Sequence, residues 1–214
     1  NHVFYNCTNF NHRLDKWNVS KVQYMHSMFK DCTVFNQDIN NWDMSNVSDI
    51  CYMFKNCNVF NKPLDKWKVH NVKRMNDTFE NCYKFNQNIN KWNVSKVEEM
   101  ESMFEGCHDF NKPLFKWNVS NVTEMDRMFN NCFNFNQFID TWDVSKVISM
   151  TATFENCYNF NKPLNRWNVS NVVDMGYLFE NCKNFNQPLC KWNVTKVNNM
   201  RCMFKNASKF NQNI

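Results

Sequence analysis

Eight of the 11 cysteines recur every 25 residues, at Cys7, Cys32, Cys57, Cys82, Cys107, Cys132, Cys157 and Cys182; Cys51, Cys190 and Cys202 fall outside that series. Three chemistries are open to such a column. Disulfides between neighbouring repeats need Cβ atoms about 3.8 Å apart, closer than stacked turns usually bring them. A zinc site needs close pairs such as Cys-x-x-Cys, and the spacing within this column is always 25. Burial as free thiols, small and apolar, is the reading favoured here. The three outlying cysteines stand in columns otherwise filled by Asn, Asp, Glu, Arg or Ser, and are expected to be exposed.

The same test applies to the other reactive types. Met25, Ile50, Met75, Met100, Met125, Met150, Met175 and Met200 would suit a soft metal, but exchange with Ile marks them as core. The unbroken series Asn11, Asn36, Asn61, Asn86, Asn111, Asn136, Asn161, Asn186 and Asn211 reads as an inward amide ladder satisfying backbone groups between turns. His2, His12, His26, His70 and His108 occupy five unrelated columns. No Ser-His-Asp, Cys-His or paired-carboxylate constellation can be assembled from them, and catalysis requires convergence. Glycine occurs twice, and no phosphate-cradling motif is present. Neither an enzyme, a cofactor nor a metal site is expected.

These columns belong to one tandem array. A partial repeat (1–10) precedes eight repeats of 25 (11–210) and a second partial one (211–214), all within a single domain and without an interrupting linker. The pattern is N-x-x-(I/L)-x-x-W-x-V-S-x-V-x-x-M-x-x-M-F-x-N-C-x-x-F. Lys62-Pro63-Leu64, Lys112-Pro113-Leu114 and Lys162-Pro163-Leu164 alternate with Gln37-Asp38-Ile39, Gln87-Asn88-Ile89 and Gln137-Phe138-Ile139, which indicates duplication of a two-turn unit. Within one repeat, Ile89, Trp92 and Val94 have the spacing of a short leucine-rich-repeat strand. Ser95 with Glu98 forms a capping box, and Val97, Met100, Phe104 and Cys107 form a helical stripe. The expected fold class is thus an α/β solenoid with one short parallel strand and one short helix per 25-residue turn. Eight turns at roughly 4.8 Å each would span about 40 Å.

The motif Phe-Asn-Gln-x-Ile-x-x-Trp-Asp/Asn-Val-Ser-x-Val-x-x-Met-x-x-Met-Phe resembles the BspA-like leucine-rich repeat family, in the form abundant in mycoplasma surface lipoproteins. The resemblance covers the whole chain. It implies a right-handed repeat solenoid displayed on a cell surface, with adhesion or host-protein binding in some members. Similar arrays occur in protists and large DNA viruses.

Net charge is +5, too mild for a dedicated nucleic-acid binder. The charges are nevertheless sorted. Lys16, Lys66, Lys91, Lys116, Arg166 and Lys191 precede the tryptophans, Lys21, Lys96, Lys146 and Lys196 form a second basic column, and acids collect on the expected helix exterior. The basic strand face is either a solvated surface on which lysine blunts aggregation or a concave groove for a polyanion or acidic protein. Departures from consensus add Phe115 and Phe138, and Phe133 and Tyr158 in a variable column with Tyr83; Phe115, Phe133 and Phe138 are expected to form one exposed aromatic patch. The chain begins and ends inside a repeat, suggesting a segment of a longer array with head-to-tail self-association. The function expected is a non-catalytic, surface-displayed or secreted binding module with a protein or polyanionic partner. The alternatives are a structural component of a virion or filament and an intracellular scaffold for acidic proteins. Sequence-specific nucleic-acid binding and a membrane span are not expected.

Overall fold

The computed structural model describes residues 1–214, and each repeat closes one coil, or rung, of a solenoid. Successive rungs are joined by parallel bridges in one column, running Tyr24–Asp49, Asp49–Arg74, Arg74–Glu99, Glu99–Glu124, Glu124–Ser149, Ser149–Asp174 and Asp174–Asn199. Beside each bridge, alternate N–H groups donate to the next rung: Ser102 to Asp126 (2.9 Å), Phe104 to Met128 (2.9 Å) and Gly106 to Asn130 (2.8 Å).

The solenoid stands; the α/β detail does not. There is no α-helix and no strand longer than a single bridged residue. The rung from Asn86 to Phe110 is instead a succession of tight turns. Trp92 N–H donates to Ile89, Val97 to Val94, Met103 to Met100, Cys107 to Phe104 and Phe110 to Cys107, each closing a turn of four residues. Chained turns of this size return a side chain to the interior every three or four residues, which imitates the 3.6-residue period of a helix. Ile89 to Trp92, read above as the start of a strand, is also a turn. Ser95 is not a helix cap: its N–H is held by Asn93 Oδ1 at 3.1 Å, an Asx turn. The backbone ladder lies farther along the rung, around Glu99.

Two residues per rung are left-handed, as the third position of a type II turn requires. One column, Asn6, Asp31, Asn56, Asn81, Gly106, Asn131, Asn156, Asn181 and Asn206, carries the residue types that tolerate this conformation. Gly106 (φ 72°) packs against Asn81, whose Oδ1 would lie 2.5 Å from an added Cβ. The other column holds His2, Ser27, Tyr52, Asp77, Ser102, Arg127, Ala152, Tyr177 and Cys202, with φ between 51° and 61°. Apart from His2 and Asp77, such residues gain nothing locally from a left-handed backbone, so packing between rungs imposes it.

The interior is one continuous core of 61 residues. Two phenylalanine columns stack within and between rungs: Phe79 lies 4.1 Å from Phe85 and 5.8 Å from Phe104. The indoles form a third stack, 6.0 Å for Trp67–Trp92 and 6.5 Å for Trp92–Trp117. From Cys32 and Trp42 onward, the thiol and indole N–H of each rung reach back to the preceding one. Trp92 Nε1 donates to the Leu64 carbonyl at 2.9 Å, and Cys107 Sγ to the Phe79 carbonyl at 3.1 Å. Each Asn of the amide ladder accepts the backbone N–H of the Asn one rung on, as in Asn61 N to Asn36 Oδ1 at 3.0 Å. Met25, Ile50, Met75, Met100, Met125, Met150 and Met175 are buried as expected, whereas Met200 is exposed. All 11 cysteines are free, and burial pushes the Cys32 thiol up to about 12. Cys51 departs from expectation: it is buried, while Cys190 is exposed and Cys202 half-buried.

Candidate binding surface

The side chains that follow the left-handed asparagines change character partway along the rod. The column begins Thr8, Thr33, Asn58 and then becomes Tyr83, His108, Phe133, Tyr158 and Lys183. These side chains stack along the solenoid axis. Tyr83 lies 4.7 Å from His108, His108 4.4 Å from Phe133, and Phe133 5.0 Å from Tyr158, with ring planes within 11° of parallel. Lys183 Nζ sits 4.8 Å above Tyr158 and closes the stack. Ring faces are therefore turned on one another and ring edges look outward.

An open groove of about 590 Å³ is lined by two asparagine columns of the same rungs. Asn111, Asn136, Asn161 and Asn186 form one, and Asn134, Asn159, Asn184 and Lys209 the other. The second column reads Asn9, Val34, Val59, Lys84 and Asp109 before it reaches Asn134, so its unbroken asparagine run belongs to the later half of the chain.

The charged residues lie elsewhere and are mixed. Lys16, Lys66, Lys91, Lys116, Arg166 and Lys191 are all exposed. The column before them contains Asp15, Asp65 and Asp140, and Arg166 Nε approaches Asp140 at 3.5 Å. In the second basic column, Lys96, Lys146 and Lys196 each bond an asparagine of the preceding rung at 2.7 Å. Acids occupy the bridged column itself (Asp49, Glu99, Glu124 and Asp174), so the backbone ladder is the acidic side and the expected basic strand face is reversed. Burial, reinforced by Asp126 and Asp77, raises the Glu101 carboxyl above its usual range. Lys55 pairs with both Asp77 (3.1 Å) and Glu80, and burial still pushes Glu80 up to about 7.

The expected single aromatic patch divides. Phe115 and Phe138 are 50% and 56% exposed and make no ring contact with each other or with Phe133. Phe138 lies beneath Lys162 Nζ at 4.9 Å, while Phe133 and Tyr158, both half-buried, belong to the axial stack. His26, Asp49 and Cys51 bring ligand atoms within 4.8 Å of one another. Asp49 is already held by the Arg74 guanidinium and by the Cys51 N–H at 2.9 Å. Burial lowers the His26 pKa and raises that of the Cys51 thiol. This cluster is a satisfied ion-pair network, with the guanidinium where a metal would have to act.

The sequence pattern of the family described as "Mycoplasma protein of unknown function, DUF285" matches residues 1–83, 62–157 and 134–214, which together span the chain. The chain belongs to the DUF285 family. That membership bears out the resemblance to mycoplasma repeat proteins drawn from the Trp-x-Val-Ser motif. A leucine-rich repeat protein from Bacteroides ovatus, of known crystal structure, is 15% identical over 84% of this chain and 64% of its own, with a TM-score of 0.26. At that score the likeness carries no argument about fold. No curated protein matches. No helix is long and apolar enough to cross a membrane.

Within this DUF285 array, sequence reasoning had grouped Phe133 and Tyr158 with Tyr83 but left His108 among scattered histidines. The 25-residue period alone places all four in one column, since 83, 108, 133 and 158 are evenly spaced. The asparagine groove was missed because Asn134, Asn159 and Asn184 merge with 41 asparagines in the chain. Only their unbroken run in a column that is otherwise Asn9, Val34, Val59, Lys84, Asp109 and Lys209 sets them apart.

Proposed function

We propose that this DUF285 chain is a non-catalytic binding module, displayed at a surface, whose partner docks along the edge formed by the aromatic stack and the asparagine groove. The observation that carries this reading is the local departure from the repeat. While the Phe, Trp and Cys core columns and the Asn ladder continue, four successive rungs acquire Tyr83, His108, Phe133 and Tyr158, and the adjoining column, Lys84 and Asp109 in the first two of them, is asparagine from Asn134 to Asn184. A stack needed only for stability would serve equally in every rung. Exposed aromatic and amide groups together on a rigid frame are typical of recognition surfaces. The lysines before the tryptophans are less suited, because Asp15, Asp65 and Asp140 interleave with them.

The test is a binding panel of polysaccharides, anionic polymers and extracellular proteins, run with the chain and with a Phe133→Thr/Tyr158→Thr variant. Threonine already occupies this column at Thr8 and Thr33, so the variant is expected to retain the fold. At least one panel member should bind the chain and lose affinity for the variant. A panel without binders, or binders indifferent to the change, would overturn the reading.

A further inference from the structure

We infer that the asparagine groove is a site for a linear acidic polysaccharide; this deepens the edge-docking reading and rests on it. Each amide of the ladder is locked in one direction by its neighbour. Asn136, Asn161, Asn186 and Asn211 donate their backbone N–H groups to Oδ1 of Asn111, Asn136, Asn161 and Asn186, at 2.9, 3.0, 2.9 and 2.9 Å. A backbone N–H can only donate, so the oxygen of each of these amides must face it and the NH2 group must face away. None of those four NH2 groups has an acceptor in the protein. In the facing column the oxygens are occupied too. Asn159 Nδ2 reaches Asn134 Oδ1 at 3.3 Å, Asn184 Nδ2 reaches Asn159 Oδ1 at 3.4 Å, and Lys209 Nζ reaches Asn184 Oδ1 at 2.7 Å.

Every amide oxygen lining the groove thus already accepts a bond from within, and the groups left without any partner are N–H. The stretches 131–138, 156–163, 181–188 and 206–213 contain no Asp or Glu, while Lys162, Lys183 and Lys209 lie in them; the rung of Asn111 contributes Asp109, which is paired with Lys84 at 3.3 Å. The outward ring edges of Phe133 and Tyr158 carry the positive end of the aromatic quadrupole. Donor groups therefore repeat along four rungs, about 14 Å from first to last at the spacing of stacked strands, with no carboxylate in the column that carries them.

That chemistry selects among chain-like ligands. An extended peptide brings a backbone N–H at each residue, and in a groove whose oxygens are occupied those donors would lose water without replacement. Its same-face side chains recur at about 6.7 Å, out of step with rungs about 4.8 Å apart. Single-stranded nucleic acid gains most from bases laid on aromatic faces, and here the faces are closed against one another. A uronate or sulfated sugar chain offers anionic oxygens that only accept, together with hydroxyls that rotate to accept or to meet solvent.

The experiment is calorimetric titration at physiological ionic strength with polygalacturonate and with heparin. These separate carboxylate from sulfate as the anionic group. Dextran serves as neutral control and poly-L-glutamate as peptide control. The chain should bind at least one acidic polysaccharide and neither control. Asn136→Asp/Asn161→Asp keeps both ladder oxygens but exchanges two donors for negative oxygens, and should weaken binding at least about tenfold. Lys209→Gln, a change at an exposed side chain, should weaken it less and lower its salt dependence. Lys66→Gln/Lys91→Gln should leave it unchanged. Undiminished binding by the Asp variant together with Lys209→Gln, or equal binding of poly-L-glutamate, would overturn the assignment. If neither polysaccharide binds while another panel member remains sensitive to Phe133→Thr/Tyr158→Thr, the ligand class fails and the edge-docking reading survives. If nothing sensitive to that variant binds, both fail.

Discussion

Glu80 shows how a single side chain registers the stacking of rungs. Burial raises its carboxyl to about 7 even though Lys55 from the preceding rung pairs with it, because Asp77 shares the same ammonium. An acid whose folded pKa lies above its unfolded value near 4.5 binds a proton that the unfolded chain has released. Stability therefore falls as pH rises from about 4.5 to about 7, and levels off above that. Glu101 and Glu155, also raised by burial, act in the same direction. Glu80→Gln should flatten part of this slope by about 1 kcal/mol, solvent screening allowed for. Denaturant unfolding of both proteins at pH 5 and pH 7.5 checks it; an unchanged difference between the two pH values would show that the Lys55 pair already compensates.

At the scale of the rung, the sign of a glycine effect separates a turn from a helix. Arg127 is exposed and left-handed, with φ 55°. Arg127→Gly and Arg127→Ala both remove the charge, so their difference isolates the backbone. Glycine should be the more stable by about 1 kcal/mol at this left-handed position; a helix would reverse the order by a similar amount. Thermal unfolding of the two variants decides. The helix was inferred at Val97, Met100, Phe104 and Cys107 because spacing reports only how often a side chain returns inward, and turns closed by Cys107 to Phe104 and Phe110 to Cys107 return as often. What sequence did convey was anything set by the 25-residue period: the stacked rungs, the buried Cys, Met and Trp columns and an Asn ladder bonded from rung to rung, although that ladder lies half-buried or exposed at the surface and not inward as expected. The left-handed Asn column was equally visible in its composition, but its meaning depends on turn geometry that apolar spacing does not encode. The assignment of lysines to the ladder face has the same origin: the ladder was placed at Trp92, whereas the bridged column at Glu99 carries Asp49, Glu99, Glu124 and Asp174, with Arg74 among them. Cys51 was misjudged because its column is otherwise polar, yet Asp49 and Arg74 fold over it.

For the molecule as a whole, contacts run between neighbouring rungs, so stability should be a sum over rung interfaces. The two-rung alternation has a structural basis. Gln87, Gln137 and Gln187 each reach back to the preceding rung's Asn Oδ1, at 2.8, 2.8 and 2.9 Å, while Lys62, Lys112 and Lys162 in the intervening rungs make no such bond. Deleting residues 86–135 places Gln137 where Gln87 stood and keeps that alternation in phase. The shortened chain of 164 residues, from 214 less 50, should fold with an unfolding m-value about three quarters of the original. A collapsed m-value or loss of cooperative unfolding would mean that distant rungs depend on one another. The indole column has an optical consequence. Trp67, Trp92, Trp117, Trp142 and Trp167 follow one another at 6.0, 6.5, 6.2 and 6.5 Å, nearly parallel. Chromophores so close and so aligned exchange excitation faster than they emit, so the rod fluoresces as a coupled antenna and a quencher at one rung dims its neighbours as well.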